Sequence, residues 1–276
     1  MSLVCYRLQE LEWDTNFFGV KMGEIQLELK SDGSNFSETA LRRTMEVARK
    51  RNFHFLLCQF DTSHQEISHV LTNNGAAIGD VLVTLALDLS KIPPVPSSPK
   101  YEVIKAVYTD LPEIVQIASE SFRKYSRFYQ DARFDADKVS QFYPSWVAES
   151  FMTDGKTYVI KEQNKVVGFI ALQMKPGEKT VIITLIAIDI SRRGHGLGQA
   201  LIEWVIAYAV EQGMTRIQVG TQINNLPAVR LYEKNGFQLI SAKYRFHIWL
   251  GPVGKLQQIS KGYNESAVGR VHSKNT

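Results

Sequence analysis

The sequence predicts a protein of the α/β (α+β) class in which two α/β regions follow each other along the chain. Three observations lead to this prediction. An apolar run at 181–190 has the length of a buried strand, and a glycine-rich loop and an amphipathic helix ending at Gly213 follow it directly. Strand-like and helix-like patterns also alternate through the rest of the chain. Finally, the stretch from Lys91 to Lys100 contains four prolines and separates two such regions.

The composition is that of a globular protein, with 276 residues of which 44% are hydrophobic. The net charge is +4, and no basic run is interleaved with aromatic residues, so we expect no nucleic-acid partner. The two cysteines, Cys5 and Cys58, have no spacing typical of a disulfide framework, and we expect no metal. We find no signal peptide and no apolar run long enough to cross a bilayer, so we expect a soluble, cytoplasmic protein without a membrane partner.

The glycine-rich loop at 193–198 is typical of a phosphate site. A strand, a glycine loop and a helix N-terminus present unpaired N–H groups and the positive end of a helix dipole to one point. A P-loop would need Gly-Lys-Ser/Thr, but Gly198 is followed by Gln199 and Ala200. A dinucleotide-binding fingerprint would need G-x-G-x-x-G and an acid after the next strand, and the strand from Arg216 to Thr221 ends without one.

The pattern that remains is R-x-x-G-x-G in the loop, followed by a second motif from Asn225 to Phe237. Together they contain Arg193, Gly196 and Gly198, then Asn225, Ala228, Leu231, Tyr232, Lys234, Gly236 and Phe237. At these residues the chain resembles the GNAT superfamily of N-acetyltransferases. The resemblance implies a GNAT fold with a central mixed, mostly antiparallel sheet, and a loop that cradles the pyrophosphate of the cosubstrate acetyl-CoA. The alternative is an ordinary strand, turn and helix without a ligand.

The resemblance also predicts the domain organisation. Helices come first after the proline-rich stretch, then strands, then the glycine loop, which is the order in a GNAT domain. We therefore predict an acetyltransferase domain at 101–250, a proline-rich linker at 93–100 and a polar tail at 251–276.

The first region, 1–92, is interpreted as a smaller, degenerate GNAT-like α/β domain. This region ends in a predicted strand, helix and strand, and the chain as a whole ends in the same three elements with similar spacing. The two sets align when Asn74-Gly75 is placed opposite Asn235-Gly236. It has no R-x-x-G-x-G loop, so we expect it not to hold CoA phosphates. The alternative is that strand-helix-strand units with Asn-Gly helix stops are simply common.

The resemblance implies a set of cofactor-binding residues. Backbone groups near 185–188, in the apolar run that precedes the glycine loop, would contact pantetheine and the oxyanion. This requires that the strand splays from its neighbour, as in the family. Arg193 either approaches phosphate or is a solvated charge, and Asn225 either offers its amide or caps the following helix. The predicted cofactor residues are Ile186, Ala187, Ile188, Arg193, Gly194, His195, Gly196, Leu197, Gly198, Asn225 and Ala228.

Tyr232 is the candidate catalytic acid, the role that the family gives to a tyrosine at this motif position. A phenol titrates near pH 10 and a thiol near 8.5, so the phenol stays protonated until a thiolate forms nearby. The alternative is that Tyr232 packs in the core on the face of Leu226 and Val229. Asp80 is the candidate base for the amine, and its alternative is a solvated aspartate at a strand edge.

Four further patches resemble the TDP-fucosamine N-acetyltransferase family, which acetylates the 4-amino group of TDP-4-amino-4,6-dideoxygalactose for surface polysaccharide. They are Trp13-Asp-Thr-Asn-Phe-Phe-Gly19, Ser126-Arg-Phe128, Phe142-Tyr-x-x-Trp146, and Thr221-Gln222 followed by Asn225. The resemblance covers about Leu11 to Trp249. The family has a glutamate where Asp80 falls, and the shorter side chain favours a water relay for the amine proton.

The resemblance implies that one group of residues holds the sugar nucleotide by stacking and phosphate pairing. The predicted substrate-binding residues are Arg127, Phe128, Tyr143 and Trp146, with Phe142 beside them. The alternative is that the spacing of the aromatic residues simply builds the buried face of a helix.

These observations lead to an acetyl-CoA-dependent N-acetyltransferase that transfers acetyl directly to a nucleotide-linked amino sugar in a ternary complex. The first alternative is a GNAT enzyme acting on protein, peptide or polyamine amines. The second is a non-catalytic acetyl-CoA-binding module. The expected partner is a small-molecule amine acceptor, and the sequence leaves a homodimer open.

Overall fold

The computed structural model describes residues 6–27, 37–91, 100–154 and 156–251. Contacts divide the chain into two compact units. The first unit comprises Met1–Val81, Asp131–Lys138 and Lys243–Thr276, and the second comprises Leu82–Gln130 and Val139–Ala242. The domain limits predicted from the sequence stay a prediction. Most of the predicted linker and tail, 93–99 and 252–276, lies outside the described residues.

The first unit is a sheet with helices. Its elements are β1 (Tyr6–Glu10), α1 (Glu12–Phe18), β2 (Met22–Leu27), α2 (Glu38–Lys50), β3 (Phe55–Asp61) and α3 (Gln65–Asn73), together with parts of β4 (Ala77–Asp88) and β10 (Gln238–Trp249). β1 and β2 pair antiparallel, β2 and β3 pair parallel, and β3 and β10 pair antiparallel. The helices α2 and α3 bury Leu41, Met45, Ile67 and Leu71 against this sheet in one core.

Residues of β10 alternate between two environments, as the two-residue period of a strand requires. Phe246 and Ile248 are buried in the core that contains α2 and α3. Arg245, His247 and Trp249 therefore lie on the opposite face of the strand. That second face of the first unit carries the polar groups described below.

The second unit contains the longer run of elements. They are the remainder of β4, β5 (Ile104–Lys105), α4 (Leu111–Ser121), α5 (Arg127–Gln130), most of α6 (Ala136–Asp154), β6 (Thr157–Glu162), β7 (Lys165–Lys175), β8 (Thr180–Ile188), α7 (Leu197–Glu211), β9 (Arg216–Gln222), α8 (Leu226–Lys234) and the start of β10. The strand order is β4-β9-β8-β7-β6-β5. Only the β8–β9 pairing in this series is parallel. The predicted α/β class with a mixed, mostly antiparallel sheet is therefore confirmed.

Both faces of the second unit's sheet are covered, which explains why β7 is apolar along most of its length. Ile170 and Leu172 belong to the core that contains α7, whereas Phe169 and Ala171 belong to the core that contains α4. β8 is packed on both faces in the same way, with Ile183 in the α7 core and Leu185 and Ala187 in the α4 core. Among the described residues, none of the helices is both long enough and apolar enough to span a lipid bilayer.

Candidate active site

The parallel strands β8 and β9 separate part of the way along their length. Their pairing runs from Thr180 with Arg216 to Ile183 with Val219. Both strands continue, β8 to Ile188 and β9 to Gln222, without further pairing to each other. The sheet is thus split on one side of the last five residues of β8. This is the splay that the family resemblance implied and that the sequence could not show.

A β-bulge lies at the point where the split begins. In the register of β7 and β8, Leu185 faces Ala171 and Ile183 faces Leu172, so Thr184 is an extra residue on β8. The Thr184 hydroxyl donates to the Ala171 carbonyl at 3.0 Å. A bulge bends its strand and increases the local twist. The bulge therefore gives a physical reason for β8 to diverge from β9 here.

The backbone groups of β8 beyond the bulge alternate between β7 and the open side. Asp189 N–H donates to the Val167 carbonyl next to β7 at 3.0 Å. By alternation, Ala187 also directs its backbone groups to β7, whereas Ile186 and Ile188 direct theirs to the side from which β9 has diverged. On the open side, Ile186 and the N–H of Ile188 are thus placed to contact a ligand, whereas the Ile188 carbonyl accepts from Arg193 Nε and Ala187 faces β7.

The loop after β8 ends at an uncapped helix N-terminus. Gly194 and Gly196 have φ values of +81° and +87°, and Gly196 occupies the N-cap position of α7 without a side-chain cap. The first bond into the helix is from Ala200 N–H to the Gly196 carbonyl, at 3.0 Å. Within the described ranges, the N–H groups of residues 196–199 find no protein acceptor. Four donors and the helix dipole are therefore available to an anion.

The side chains of the loop brace it rather than reach outwards. Arg193 donates through Nε to the Ile188 carbonyl at 3.2 Å and through Nη2 to the Ser121 hydroxyl at 3.0 Å. His195 Nδ1 lies 3.0 Å from the Arg193 carbonyl oxygen, an acceptor, so Nδ1 carries the proton. These contacts support loop-bracing roles for Arg193 and His195, whose predicted contacts with a cofactor stay predictions.

Helix α8 packs directly against the start of α7. A Cβ at Gly198 would lie 3.3 Å from Leu231 Cδ2, so the glycine permits a close approach of the two helices. Asn225 precedes α8, but its side chain makes no cap and donates instead to Thr221 Oγ1 at 3.1 Å. Ala228 is half-buried in the first turn and packs against the same core as Leu197.

Tyr232 is a core residue of α8, with 2% of its surface exposed. Its ring packs 5.6 Å from that of Phe237, centroid to centroid. Its hydroxyl has no hydrogen-bond partner among the residues that the structure describes. Burial raises the pKa of this hydroxyl above its ordinary value near 10. The phenol is therefore held protonated and remains able to donate one hydrogen bond.

The predicted substrate-binding residues come together in one aromatic cluster of the second unit. Phe128 and Phe142 lie 4.4 Å apart, and the Arg127 guanidinium lies 4.1 Å from the centroid of the Phe128 ring. Tyr143 and Trp146 lie 6.0 Å apart. Phe128 is buried, whereas Trp146 is 36% exposed. Phe128 thus supports the cluster from within, and Trp146 presents a surface on which a ring could stack.

Asp80 belongs to the first unit, where it is buried and paired with Arg245. The Arg245 Nε and Nη2 groups donate to the two carboxylate oxygens of Asp80. The alternative, a solvated aspartate at a strand edge, does not describe Asp80 in the structure. Both carboxylate oxygens are thus engaged by one guanidinium in the bidentate geometry. The pairing argues against direct proton abstraction by Asp80.

A second buried carboxylate of the first unit, Asp131, was missed in the sequence. It accepts hydrogen bonds from His247 Nδ1 at 2.8 Å, Trp249 Nε1 at 3.0 Å and Arg133 Nε at 2.7 Å. Burial by itself would raise the pKa of the Asp131 carboxyl, but these hydrogen bonds outweigh it and hold the pKa well below its ordinary value. The one sequence signal for this network is the polar or amphipathic residue at every second position of β10. Such alternation is equally typical of a strand face in contact with solvent, so it does not identify the network by itself.

In the part of the chain that the structure describes, His, Cys, Asp and Glu side chains form no group of three or more suited to a metal ion.

Comparison with known proteins gives a family match that covers this site. Residues 111–237 match the model of the acetyltransferase (GNAT) family. The matched range includes the split strands, the glycine loop, α7 and α8. The resemblance predicted from the two sequence motifs is thereby confirmed.

Two relatives and one solved structure illustrate the similarity. The chain is 28% identical over 147 residues to the spore coat polysaccharide biosynthesis protein SpsD of Bacillus subtilis (strain 168), covering 53% of this chain and 50% of that protein. It is 24% identical over 240 residues to the dTDP-fucosamine acetyltransferase of Escherichia coli O6:H1, covering 86% of this chain and 96% of that protein. The match to SpsD thus spans about half the length of that relative.

The solved structure is a GCN5-related N-acetyltransferase from Sphaerobacter thermophilus. It superposes with a TM-score of 0.62 at 14% identity, covering 90% of this chain and 76% of that one. At this identity the likeness shows a shared fold. A degenerate acetyltransferase origin for the N-terminal region stays a prediction.

Proposed function

The chain belongs to the acetyltransferase (GNAT) family, and from this premise we propose that it transfers acetyl from acetyl-CoA to the amino group of a nucleotide-linked amino sugar. The observation that carries the proposal is the combination of an open strand edge with an uncapped helix N-terminus at the end of the same strand. A ligand with an amide-bearing arm and a phosphate group fits both. Acetyl-CoA is such a ligand.

The donor side of the site suits the pyrophosphate and the pantetheine arm of acetyl-CoA. The N–H groups of residues 196–199 and the dipole of α7 favour the pyrophosphate. The backbone groups of Ile186 and the N–H of Ile188 on the open edge of β8 favour the amides of pantetheine, which would be added to the sheet like a strand. Both interactions use backbone groups that are already in position, so little ordering is needed on binding.

The transfer step needs a proton for the departing sulfur. The acceptor amine attacks the thioester carbonyl, the C–N bond forms, the C–S bond breaks, and CoA leaves as a thiolate that takes up a proton. Tyr232 would donate a hydrogen bond to this sulfur. Its raised pKa makes complete proton transfer less favourable but keeps the donor protonated at neutral pH. The amine loses its own proton to water, since Asp80 is engaged by Arg245.

The acceptor class is supported by two sets of observations. Two relatives carry names that concern sugars: one acetylates dTDP-fucosamine, and the other acts in the biosynthesis of spore coat polysaccharide. In this chain, the exposed Trp146 ring and the neighbouring Tyr143 provide apolar surfaces of the kind on which sugar and base rings stack. The Arg127 guanidinium is suited to a phosphate oxygen.

The test is release of free thiol from acetyl-CoA in the presence of TDP-4-amino-4,6-dideoxygalactose, its gluco epimer or spermidine. We expect turnover with a nucleotide sugar and a loss of about 100-fold or more in kcat for Tyr232→Phe. Tyr108→Phe is the matched control, because Tyr108 is 70% exposed. Turnover with spermidine but with neither nucleotide sugar would contradict the proposed acceptor and indicate a polyamine instead. Binding of acetyl-CoA without turnover of any amine would favour a non-catalytic module.

A further inference from the structure

One side chain from a distant part of the chain holds the glycine loop. The Tyr101 hydroxyl donates to the backbone carbonyl of His195 at 2.9 Å, across 94 positions in sequence. The Tyr101 ring packs against the core that contains α7, and Lys100 Nζ lies 5.2 Å from the ring centroid. The hydroxyl is therefore fixed by a ring that is itself held in place.

The acceptor of this hydrogen bond determines how the next N–H group points. In a planar trans peptide, the C=O of His195 and the N–H of Gly196 point in opposite directions. When Tyr101 holds the carbonyl on one side of the loop, the Gly196 N–H is directed to the other side. That N–H is the first of the four donors at the start of α7.

Gly196 has particular need of such an anchor. Its φ of +87° lies in a region that glycine adopts readily, and beyond its chain neighbours no described residue has a heavy atom within 4 Å of the position that a Cβ would take. Packing against this residue therefore does little to fix the 195–196 peptide. A hydrogen bond to the carbonyl also polarises the peptide and strengthens its N–H as a donor.

We propose that Tyr101 is a positioning residue for the pyrophosphate site, which it serves by fixing the His195–Gly196 peptide with its N–H towards the anion. The inference rests on the proposed binding of acetyl-CoA at this loop. Tyr101 acts through the loop backbone and not on the thioester, so its removal weakens the binding of the phosphate-bearing part of the cofactor alone.

The test compares CoA with pantetheine, which has the same arm and thiol but no phosphate. Equilibrium dissociation constants are measured by calorimetry for the full chain, for Tyr101→Phe and for Tyr108→Phe. We expect Tyr101→Phe to weaken CoA binding about 3- to 10-fold, to leave pantetheine binding unchanged, and to keep the thermal midpoint of the wild type. Tyr108→Phe is expected to bind both ligands as the wild type does.

Two results would overturn the inference. One is CoA binding by Tyr101→Phe equal to that of the wild type. The other is an equal loss for CoA and pantetheine, since that would indicate general damage to the site. Failure of the wild type itself to bind CoA would overturn the proposed function first, so the two failures are distinguishable.

Discussion

Among the residues that the structure describes, the four N–H groups at the start of α7 find no acceptor, whereas the Asp131 carboxylate of the first unit accepts hydrogen bonds from three side chains. The first arrangement begins at the exposed Gly196, at the end of a loop with two glycines at positive φ. The second is enclosed and involves His247, which is fully buried. Open polar groups on a rigid support are available to a ligand, while closed ones stabilise the fold. A conspicuous histidine–carboxylate pair is thus not by itself a catalytic site.

Disruption of the hydrogen bonds around Asp131 is expected to have the largest effect on stability. Asp131→Ala removes the acceptor shared by the buried His247 and the half-buried Trp249 and Arg133. We expect a loss of about 3 kcal/mol or more in the free energy of unfolding, measured by urea denaturation. Asp61→Ala is the matched control, because the Asp61 carboxylate accepts from its exposed near neighbour Ser63 and its removal should cost under about 1 kcal/mol. Equal losses in both variants would contradict this account of Asp131.

CoA binding by the glycine loop is expected to be sensitive to the backbone conformation of Gly196. Gly196→Ala meets no steric obstacle, but it places a Cβ on a residue with a φ of +87°, which costs on the order of 1 kcal/mol and displaces the loop. We expect CoA binding to weaken about tenfold or more while the fold persists. Gly177→Ala also meets open space, but without a positive φ, and should bind CoA normally. Calorimetric titration of CoA into both variants tests whether the positive φ at Gly196, and not the added methyl group as such, limits binding; equal affinities would contradict this account.

The lowered pKa of Asp131 predicts a pH dependence of stability. A carboxylate whose pKa in the folded state lies below the unfolded value near 3.9 stabilises the fold above that pH. The contribution is lost as the pH falls from about 4 through the folded-state pKa. Urea midpoints at a series of pH values between 5 and 2 should therefore fall more steeply for the wild type than for Asp131→Ala. Parallel curves would mean that Asp131 is not the group responsible.

Loss of the side-chain hydrogen bond at the β-bulge should have the smallest effect on stability and cofactor binding. Thr184→Val keeps the shape of the side chain but removes its hydrogen bond to the Ala171 carbonyl. We expect a loss of about 1 kcal/mol in stability and an increase of a fewfold in the KM for acetyl-CoA, because the divergence of β8 is less well fixed. Thr72→Val removes an exposed hydrogen bond to a helix carbonyl and should leave KM unchanged. Steady-state kinetics on both variants would show whether the bulge supports the cofactor edge.

The same contrast explains what the sequence could predict. Gly194, Gly196 and the first residues of α7 could be placed because a glycine-rich loop before a helix has a local physical meaning. The chemistry of Tyr232 could be proposed from its motif, but its burial depends on Phe237 and the rest of the core. The family resemblance and the α/β class, both confirmed, rested on patterns that short windows of sequence contain.

The remaining features depend on contacts between distant residues. His247 and Asp131 are 116 positions apart, and Asp80 and Arg245 are 165 apart, so no local pattern pairs them. The split between β8 and β9 depends on one extra residue, Thr184, in a register that only the folded sheet defines. Tyr101 likewise reaches the loop across 94 positions. Register and long-range pairing were the information that the sequence lacked.

The most direct test of the central claim is to follow the backbone amide signals of the protein by NMR while CoA is added. If the split edge and the α7 N-terminus bind the cofactor, the largest shifts should fall on Gly196, Leu197, Gly198 and Gln199, with Ile186 and Ile188 next. Pantetheine should shift the two isoleucines but not the four loop residues. Saturable CoA binding that leaves all six signals in place would contradict the account.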